Sequence, residues 1–259
     1  MEKCVDKNYL YANVKDKIKL AKKRNKIQNT QFYTINEKML IEKELKIEKE
    51  QNYFFFGGYV DSEREILIVY PEKFNEEIAK NNLTNILKCI RIVLPNELIG
   101  KYNHSSYLGS LMKIGLERER FGDIICFESE AYILVLNENA EYIKESLRNL
   151  VKFKKAQIDV INIEEIKIKP REFEEIKIII PSNRLDNFVA ELSKSSRGKA
   201  EEYILGERVL VNNITELKNS KKIKIGDIIT IRGKGKFIIE EFIGTNKKEK
   251  EMYLVKKYI

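Results

Sequence analysis

The chain has 259 residues, with 48 Lys or Arg, 40 Asp or Glu and a single His, so its formal net charge is +8. Hydrophobic residues make up 43% of the sequence, which is enough for folded cores in one large domain or in two to three small ones. No apolar run approaches the ~18 residues that a membrane-spanning helix needs, so membrane partners are not expected.

The three cysteines, Cys4, Cys89 and Cys126, are isolated from one another. No Cys-x-x-Cys pair or Cys/His cluster exists, which argues against a zinc site or a disulfide framework and predicts a reducing cytoplasm. The opening residues lack an apolar segment, so no signal peptide is expected. We predict no metal and no cofactor, and we expect Cys89 and Cys126 to lie in strands.

Residues 1–50 are predicted to form an N-terminal helical segment. A first helix would bury Val14, Ile18 and Ala21, with a basic cluster from Lys15 to Lys26 outside. That cluster fits either contact with nucleic acid or a solvated helix face, and the second interpretation is favoured. A further helix is predicted over residues 32–50, with Asn36 as a possible cap and Met39, Leu40 and Ile47 as its apolar positions.

Residues 51–170 are predicted to form a central α+β domain. A hairpin is expected from residues 53–59 and 66–70, closed by residues 61–64, and a short helix from residues 74–81. The following strands are predicted at 86–94, 123–127, 132–136 and 158–163, with helices at 106–116 and 140–150. That order is the split βαβ arrangement of ferredoxin-like domains, which RNA-recognition motifs use.

The two central strands of this domain lack the motif K/R-G-F/Y-G/A-F-V-x-F/Y that places base-stacking aromatics in RNA-recognition motifs. Phe127 and Tyr132 are equally well explained as residues that pack within the sheet. The sequence therefore predicts the fold but not a base-stacking platform.

Residues 181–259 carry the most informative pattern in the chain. A first helix is predicted to bury Leu185, Phe188, Val189 and Leu192, which recur at helical spacing. A second helix is expected to begin at Ser195 or Ser196, to bury Ala200, Tyr203 and Ile204, and to end at Gly206. Residues 209–211 would form a first strand, and residues 222–229 a second strand, a turn and a third strand of a small sheet.

Positive charge is concentrated in this last segment, where residues 182–259 hold 17 basic and 11 acidic residues, a balance of +6. Arg197 and Lys199 fall in the first turn of the second helix, where the macrodipole already disfavours cations. An anion at this helix start would remove the conflict, so a phosphate-binding corner is one interpretation. A well-capped, solvated helix with incidental basic residues is the other.

The segment resembles the alpha-L RNA-binding motif, which a small-subunit ribosomal protein, pseudouridine synthases and tyrosyl-tRNA synthetases share. The matching positions are Arg184, Leu185, Asp186, Ser196, Arg197, Ala200, Ile204, Gly206, Val209, Val211 and Asn212. The resemblance implies that the paired helices lie against structured RNA and that the Ser-Arg start of the second helix meets the RNA backbone.

A wider resemblance is to the YlmH family, bacterial proteins with an RNA-recognition-like domain ahead of a C-terminal alpha-L domain. It is carried by residues 56–59 (F-G-G-Y), 90–92, 107–111 and 115–124. Members usually follow the histidine with a charged pair, whereas this chain has His104-Ser105-Ser106. The resemblance implies a non-enzymatic protein that binds ribosomal RNA, and peptidyl-tRNA, on stalled large subunits.

The sequence thus predicts a cytoplasmic, non-catalytic protein that docks on ribosomal RNA and the ribosome, with tRNA as a further partner and no small-molecule substrate. The residues predicted to contact RNA are Arg184, Lys194, Ser196, Arg197, Lys199, Arg208, Asn212, Asn213, Lys218, Lys221, Lys222, Arg232, Lys234 and Lys236. The alternatives are a protein-interaction scaffold and an RNA-modifying enzyme, because pseudouridine synthases use an aspartate in a similar Arg-Leu-Asp context. Here Asp186 is expected instead to be an acid at a helix start or the partner of an arginine.

Overall fold

The structure, a computed structural model, describes residues 7–60, 62–167 and 173–259, which belong to two compact units, Met1–Lys167 and Ile168–Ile259. Cys4, and Asp61 in the predicted hairpin turn, lie outside the described residues. No helix in the described part of the chain combines the length and the apolar composition needed to cross a bilayer.

The N-terminal unit begins with helices packed on a three-stranded antiparallel sheet of order β1-β3-β2. Its elements are α1 (Lys7–Arg24), β1 (Gln28–Thr34), α2 (Ile35–Ile47), β2 (Tyr53–Phe56) and β3 (Arg64–Val69). Helix α1 buries Val14, Ile18 and Ala21, which confirms the predicted face. The predicted hairpin is confirmed as well, since β2 pairs with β3.

The prediction of a helix from residue 32 is wrong, because residues 28–34 pair with β3 as β1. Helix α2 starts later and is capped by Thr34, not Asn36, in a reciprocal capping box with Glu37. It buries Ile41 and Leu45, whereas Met39 and Ile47 are exposed. The domain boundary predicted near residue 50 therefore falls between strands that share one sheet.

A second sheet follows, antiparallel, four-stranded and of order β5-β6-β4-β7. Its strands are β4 (Leu87–Val93), β5 (Phe121–Cys126), β6 (Glu130–Leu136) and β7 (Gln157–Ile161). The helices are α3 (Glu76–Asn81) and α4 (Leu83–Ile86) before β4, α5 (His104–Lys113) after β4, and α6 (Asn137–Arg148) after β6. The predicted helices and strands of this region are observed with shifted ends, and Cys89 and Cys126 lie in strands as expected.

Both faces of the four-stranded sheet are covered. Helices α5 and α6 pack on one face, with Tyr107, Leu111, Ile143 and Leu147 buried there. On the other face Phe32, Ile66 and Ile68 of the first sheet pack against Cys89, Tyr132 and Leu134. The ring of Tyr132 is 1% exposed and stands edge-on to Phe127, so it serves sheet packing and is not available to stack on a base.

Two glycines and one carboxylate shape the junction between these sheets. A Cβ at Gly122 would lie 2.6 Å from the ring of Phe32, and one at Gly58, which has φ +104°, would lie 2.4 Å from Leu134. Only glycine allows this approach of backbone to side chain. Asp123 accepts hydrogen bonds from the Tyr59 hydroxyl at 2.8 Å and from the Glu63 amide at 2.7 Å. The F-G-G-Y and G-D segments, which carry the family resemblance, therefore contact each other where the two sheets meet.

The C-terminal unit is a six-stranded antiparallel sheet of order β10-β9-β11-β12-β13-β8, with two helices on one face. Its elements are β8 (Phe173–Ile180), α7 (Leu185–Leu192), α8 (Arg197–Leu205), β9 (Val209–Val211), β10 (Ile214–Thr215), β11 (Ile228–Ile231), β12 (Gly235–Thr245) and β13 (Glu251–Tyr258). Both helices bury the predicted residues against the sheet, except that Tyr203 is only half-buried. Ser196 is the N-cap of α8, as predicted.

Two predictions for this unit need correction. The sheet is larger than expected, and β8 belongs to it by pairing with β13, although the predicted boundary began at residue 181. Residues 222–225 form no strand, because Lys222 bridges to Arg184 and the amide of Ile223 donates to the carbonyl of Asn183. Gly206 is the C-cap of α8, as predicted, with φ −82°, and the left-handed residue that follows it is Glu207.

Candidate nucleic-acid interface

Asp186 ties together the starts of α7 and α8. Its side chain is 0% exposed and receives both Nε and Nη2 of Arg184, at 3.0 and 2.7 Å, and Nη2 of Arg197 at 2.8 Å. The prediction that Asp186 is an acid at a helix start and the partner of an arginine is therefore confirmed. A carboxylate held away from water is stable only with such partners. Asp186 therefore binds two guanidiniums with one carboxylate.

Burial alone would raise the pKa of the Asp186 carboxyl, but the hydrogen bonds from Arg184 and Arg197 outweigh it and lower that pKa below its ordinary value. The contribution of the ionised carboxylate to stability is then present above the pKa of an unfolded aspartate. It is lost as the pH falls through that value to the lowered folded pKa.

We expect the C-terminal unit to lose stability on acidification through this window, and we expect Asp186→Asn to remove that part of the pH dependence. Hydrogen exchange of the α7 amides, corrected for intrinsic rates and followed from neutral to acidic pH, measures the effect. An unchanged pH profile in the variant would show that Asp186 does not set the acid stability of this unit.

The start of α8 is capped and paired within the protein. The Ser196 hydroxyl accepts the amide of Lys199 at 3.3 Å, and the Lys199 ammonium binds Glu202. Arg197 binds Asp186 and also lies 3.8 Å from Glu201. The predicted conflict between these cations and the helix macrodipole is therefore relieved by carboxylates, and no phosphate is needed to explain their position.

The loop after β10 brings further cations to the start of α7. The amides of Leu185 and Asp186 donate to the carbonyls of Lys221 and Asn219, at 2.8 and 3.1 Å. Glu216 holds the loop by accepting backbone amides and by binding the Lys221 ammonium at 2.8 Å. The loop also carries two exposed lysines that form no ion pair within the described residues, Lys218 and Lys222.

A second basic group lies past the other end of α8. The Arg208 guanidinium donates to the Arg232 carbonyl at 3.0 Å, and the Arg232 amide donates back to the Arg208 carbonyl at 2.9 Å. The same guanidinium lies 4.8 Å from the ring centre of Tyr203. Arg208, Arg232 and Lys234 are exposed and have no carboxylate partner among the described residues. They are separated from Arg197 by the length of α8, roughly 13 Å for nine residues.

Two predicted contacts have clear structural roles. Asn212, which has φ +52°, donates from Nδ2 to Asp227 at 2.8 Å and accepts the Ile228 amide at 2.8 Å, so its side chain holds the β9–β11 region together. The Lys236 ammonium lies 5.2 Å from the ring centre of Tyr258 on a neighbouring strand. Asn213 follows in a left-handed conformation with φ +64°.

Apart from Lys236, the structure thus sorts the predicted cationic contact residues into two sets. Cations bound to carboxylates are Arg184, Arg197, Lys199 and Lys221. Exposed cations without an ion pair in the described part of the chain are Lys194, Arg208, Lys218, Lys222, Arg232 and Lys234. The second set is spread over the turns that flank both ends of α8 and over the loop beside α7. Its members remain predicted contacts.

The remaining candidate residues have no reactive environment. His104 is exposed at the first position of α5, and within the described residues it forms no hydrogen bond to Ser105 or Glu117. Burial raises the pKa of Cys89 to about 12 and that of Cys126 to about 11, so both are protonated thiols at neutral pH. Residues 7–60, 62–167 and 173–259 contain no group of three His, Cys, Asp or Glu side chains that could hold a metal ion.

Comparison with known proteins assigns domains to both units. Residues 86–169 match the family described as "Putative RNA-binding domain in YlmH", and residues 183–229 match the S4 domain. A curated relative, ribosome-associated protein quality control protein P2 from Bacillus subtilis (strain 168), is 28% identical over 200 residues, which cover 76% of this chain and 74% of the relative.

A solved structure, cell division protein ylmH from Streptococcus pneumoniae, is similar with a TM-score of 0.50 and 18% identity, over 64% of this chain and 98% of that chain. At this identity the likeness concerns the fold alone. The chain is therefore a mixed α+β protein with an S4 domain towards its C-terminus.

Proposed function

This chain belongs to the YlmH family with a C-terminal S4 domain, and from that premise we propose that it is a non-catalytic, cytoplasmic RNA-binding protein associated with the ribosome. Its relative from Bacillus subtilis is named as a ribosome-associated quality control protein, which favours the same setting for this chain. The finer proposal is that the S4 domain docks on large-subunit ribosomal RNA and meets peptidyl-tRNA there.

The observation that carries this proposal is the set of unpaired cations around α7 and α8. Lys218, Lys222 and Lys234 are exposed, and in the described part of the chain their ammonium groups meet no carboxylate. Lysines without a carboxylate partner can bind phosphates directly, whereas Arg197 and Lys199 must first give up a carboxylate partner. Because Lys199 and Glu202 are both exposed, their pairing is weak and an RNA phosphate can replace it.

The central domain is proposed to be ferredoxin-like, which its strand order β5-β6-β4-β7 and its two crossover helices support. Its sheet cannot act as an open stacking platform, because the first sheet and the helices cover both faces. We therefore assign RNA docking to the S4 domain, through RNA shape and backbone rather than through base sequence.

We expect the variant K218Q/K222Q/K234Q to bind purified large ribosomal subunits at least about tenfold more weakly than wild type at moderate salt. The slope of log Kobs against log salt should fall by roughly 2–3, since each lost phosphate contact removes about 0.7–0.9. Co-sedimentation across a salt series measures both quantities.

The matched control is K19Q/K23Q/K26Q, which removes the same charge from exposed lysines of α1 and the turn after it. It should bind as wild type does. An equal loss in both variants would mean that net charge, and not this interface, governs binding.

Two further measurements separate the competing functions. A modifying enzyme changes the mass of nucleosides in ribosomal RNA when the protein is added, whereas the proposed adaptor leaves them unchanged. A protein-interaction scaffold keeps its partners after ribonuclease treatment, whereas an RNA-binding adaptor releases them.

A further inference from the structure

The turn that joins β12 to β13 is organised around Asn246. The Asn246 amide donates to the carbonyl of Lys250 at 2.9 Å, and the Asn246 carbonyl accepts the amide of Glu249 at 2.9 Å. The side-chain Oδ1 of Asn246 accepts the amides of Lys248 and Lys250 at 2.9 and 3.1 Å. These bonds fix the backbone of residues 246–250, so the Cα–Cβ bonds of the side chains in the turn have fixed directions.

The lysines of this turn differ in their ion pairing from the lysines of β13 in the same hairpin. On β13, Lys256 binds Glu240 at 2.8 Å and Lys257 binds Glu174 at 3.2 Å. By contrast Lys247, Lys248 and Lys250 are exposed, and no carboxylate of the described residues lies within ion-pair distance of them. Glu249 is the single acid among the five residues of the turn, which therefore carries an excess of two positive charges.

These lysines border a shallow, open recess at the turn. The recess is lined by Ile179 of β8 together with Asn246, Lys247, Lys248 and Lys250. Ile179 is 48% exposed, so the recess offers an apolar surface bordered by cations. That combination suits a nucleotide, whose phosphate meets the ammonium groups while its sugar or base contacts the apolar side chain.

We propose that this lysine turn, residues 246–250 with Ile179, is a second site for the phosphodiester backbone of RNA. The inference rests on the proposed function, because it adds a contact to the same RNA-binding unit. None of its lysines was among the residues predicted to contact RNA. The Lys-Lys-Glu-Lys run is a usable sequence signal, but it gives no indication of the apolar neighbour Ile179, which comes from a distant strand.

The geometry separates this site from the turn at Arg232 and Lys234. Both turns border β12, which runs from Gly235 to Thr245, so they lie at opposite ends of an eleven-residue strand. Such a strand spans roughly 30–35 Å. One RNA that contacts both ends must therefore be folded or long, which fits ribosomal RNA better than a short single strand.

The test uses the full chain and purified total ribosomal RNA, with affinity measured across a salt series. K247Q/K248Q/K250Q should bind several-fold more weakly than wild type, and its salt slope should be lower by roughly 2–3. K19Q/K23Q/K26Q is the matched control and should keep the wild-type affinity and slope. Circular dichroism and the thermal midpoint verify that both variants are folded.

The outcomes separate this inference from the proposed function. If wild type binds the RNA and the turn variant binds it equally well, with the same salt slope, the second site is wrong while the proposed function stands. If wild type itself does not bind ribosomal RNA, the proposed function fails first. Loss of binding to phosphatidylglycerol vesicles or to polyglutamate, with RNA binding unchanged, would overturn the site as an RNA site by assigning the lysines to another polyanion.

Discussion

Replacing Arg184 and Arg197 together by glutamine is expected to destabilise the C-terminal unit strongly at neutral pH. The substitutions leave the carboxylate of Asp186 buried without a cation, which costs about 3–5 kcal/mol in comparable buried sites. Asp186→Asn should cost less, about 1–2 kcal/mol, because the arginines it leaves behind still reach water. Hydrogen exchange of the α7 and α8 amides across a urea series measures the free energy of unfolding for each variant.

RNA binding gives the same variants a second, independent outcome. If Arg184 and Arg197 chiefly bind Asp186, Asp186→Asn frees positive charge and should bind ribosomal RNA as well as wild type or better. The double glutamine variant should be less stable than wild type, but its folded form should bind ribosomal RNA only a few-fold more weakly. Its affinity is therefore measured at a temperature well below that of its unfolding transition. A double variant as stable as wild type that no longer bound RNA would instead make these arginines primary RNA contacts.

Local sequence information was enough to predict α7 and α8. The apolar residues of the buried face of α7 recur at helical spacing, and the Ser196 hydroxyl caps α8 by accepting a hydrogen bond from the amide three residues later. Such features depend on neighbours within one or two turns. The helices and strands between residues 86 and 163 were predicted for the same reason.

Elements that depend on distant partners were missed. Residues 28–34 (Q-N-T-Q-F-Y-T) lack a clear alternation of apolar and polar residues, and they form a strand because β3 pairs with them. The sequence predicts that residues 173–180 lie outside the last domain, because their partner, β13, comes more than 70 residues later. Such pairings are decided by tertiary contacts that composition and periodicity do not report.

The same limit applies to the candidate interface. Counting charges located the basic unit correctly, but it could not distinguish a lysine that meets a carboxylate from one that does not. The pairing of Arg197 with Asp186 spans eleven residues and two helices. The structure therefore moves the emphasis from the start of α8 to the exposed cations of the adjoining loop and turns.

Gly122→Ala is expected to destabilise the N-terminal unit by about 1–3 kcal/mol or more. The added Cβ would lie 2.6 Å from Cε1 of Phe32 and 3.0 Å from Cβ of Leu134, both of which are fully buried between the two sheets. Phe32 and Leu134 belong to one buried cluster with Ile66 and Ile68 of the first sheet, so neither side chain can move away from the added Cβ without disturbing that packing. Urea unfolding, followed by hydrogen exchange of the β5 and β6 amides, measures the change.

The chain offers a matched control in Gly109, which lies within α5 and whose added Cβ would meet no atom within 4 Å. Gly109→Ala should raise stability by about 0.5–1 kcal/mol, since alanine favours the helix. Each variant adds one methyl group. If Gly122→Ala lowers the free energy of unfolding while Gly109→Ala raises it, the loss comes from the close contact between the two sheets. Equal stability of Gly122→Ala and wild type would mean that the sheets are not in close contact at Phe32.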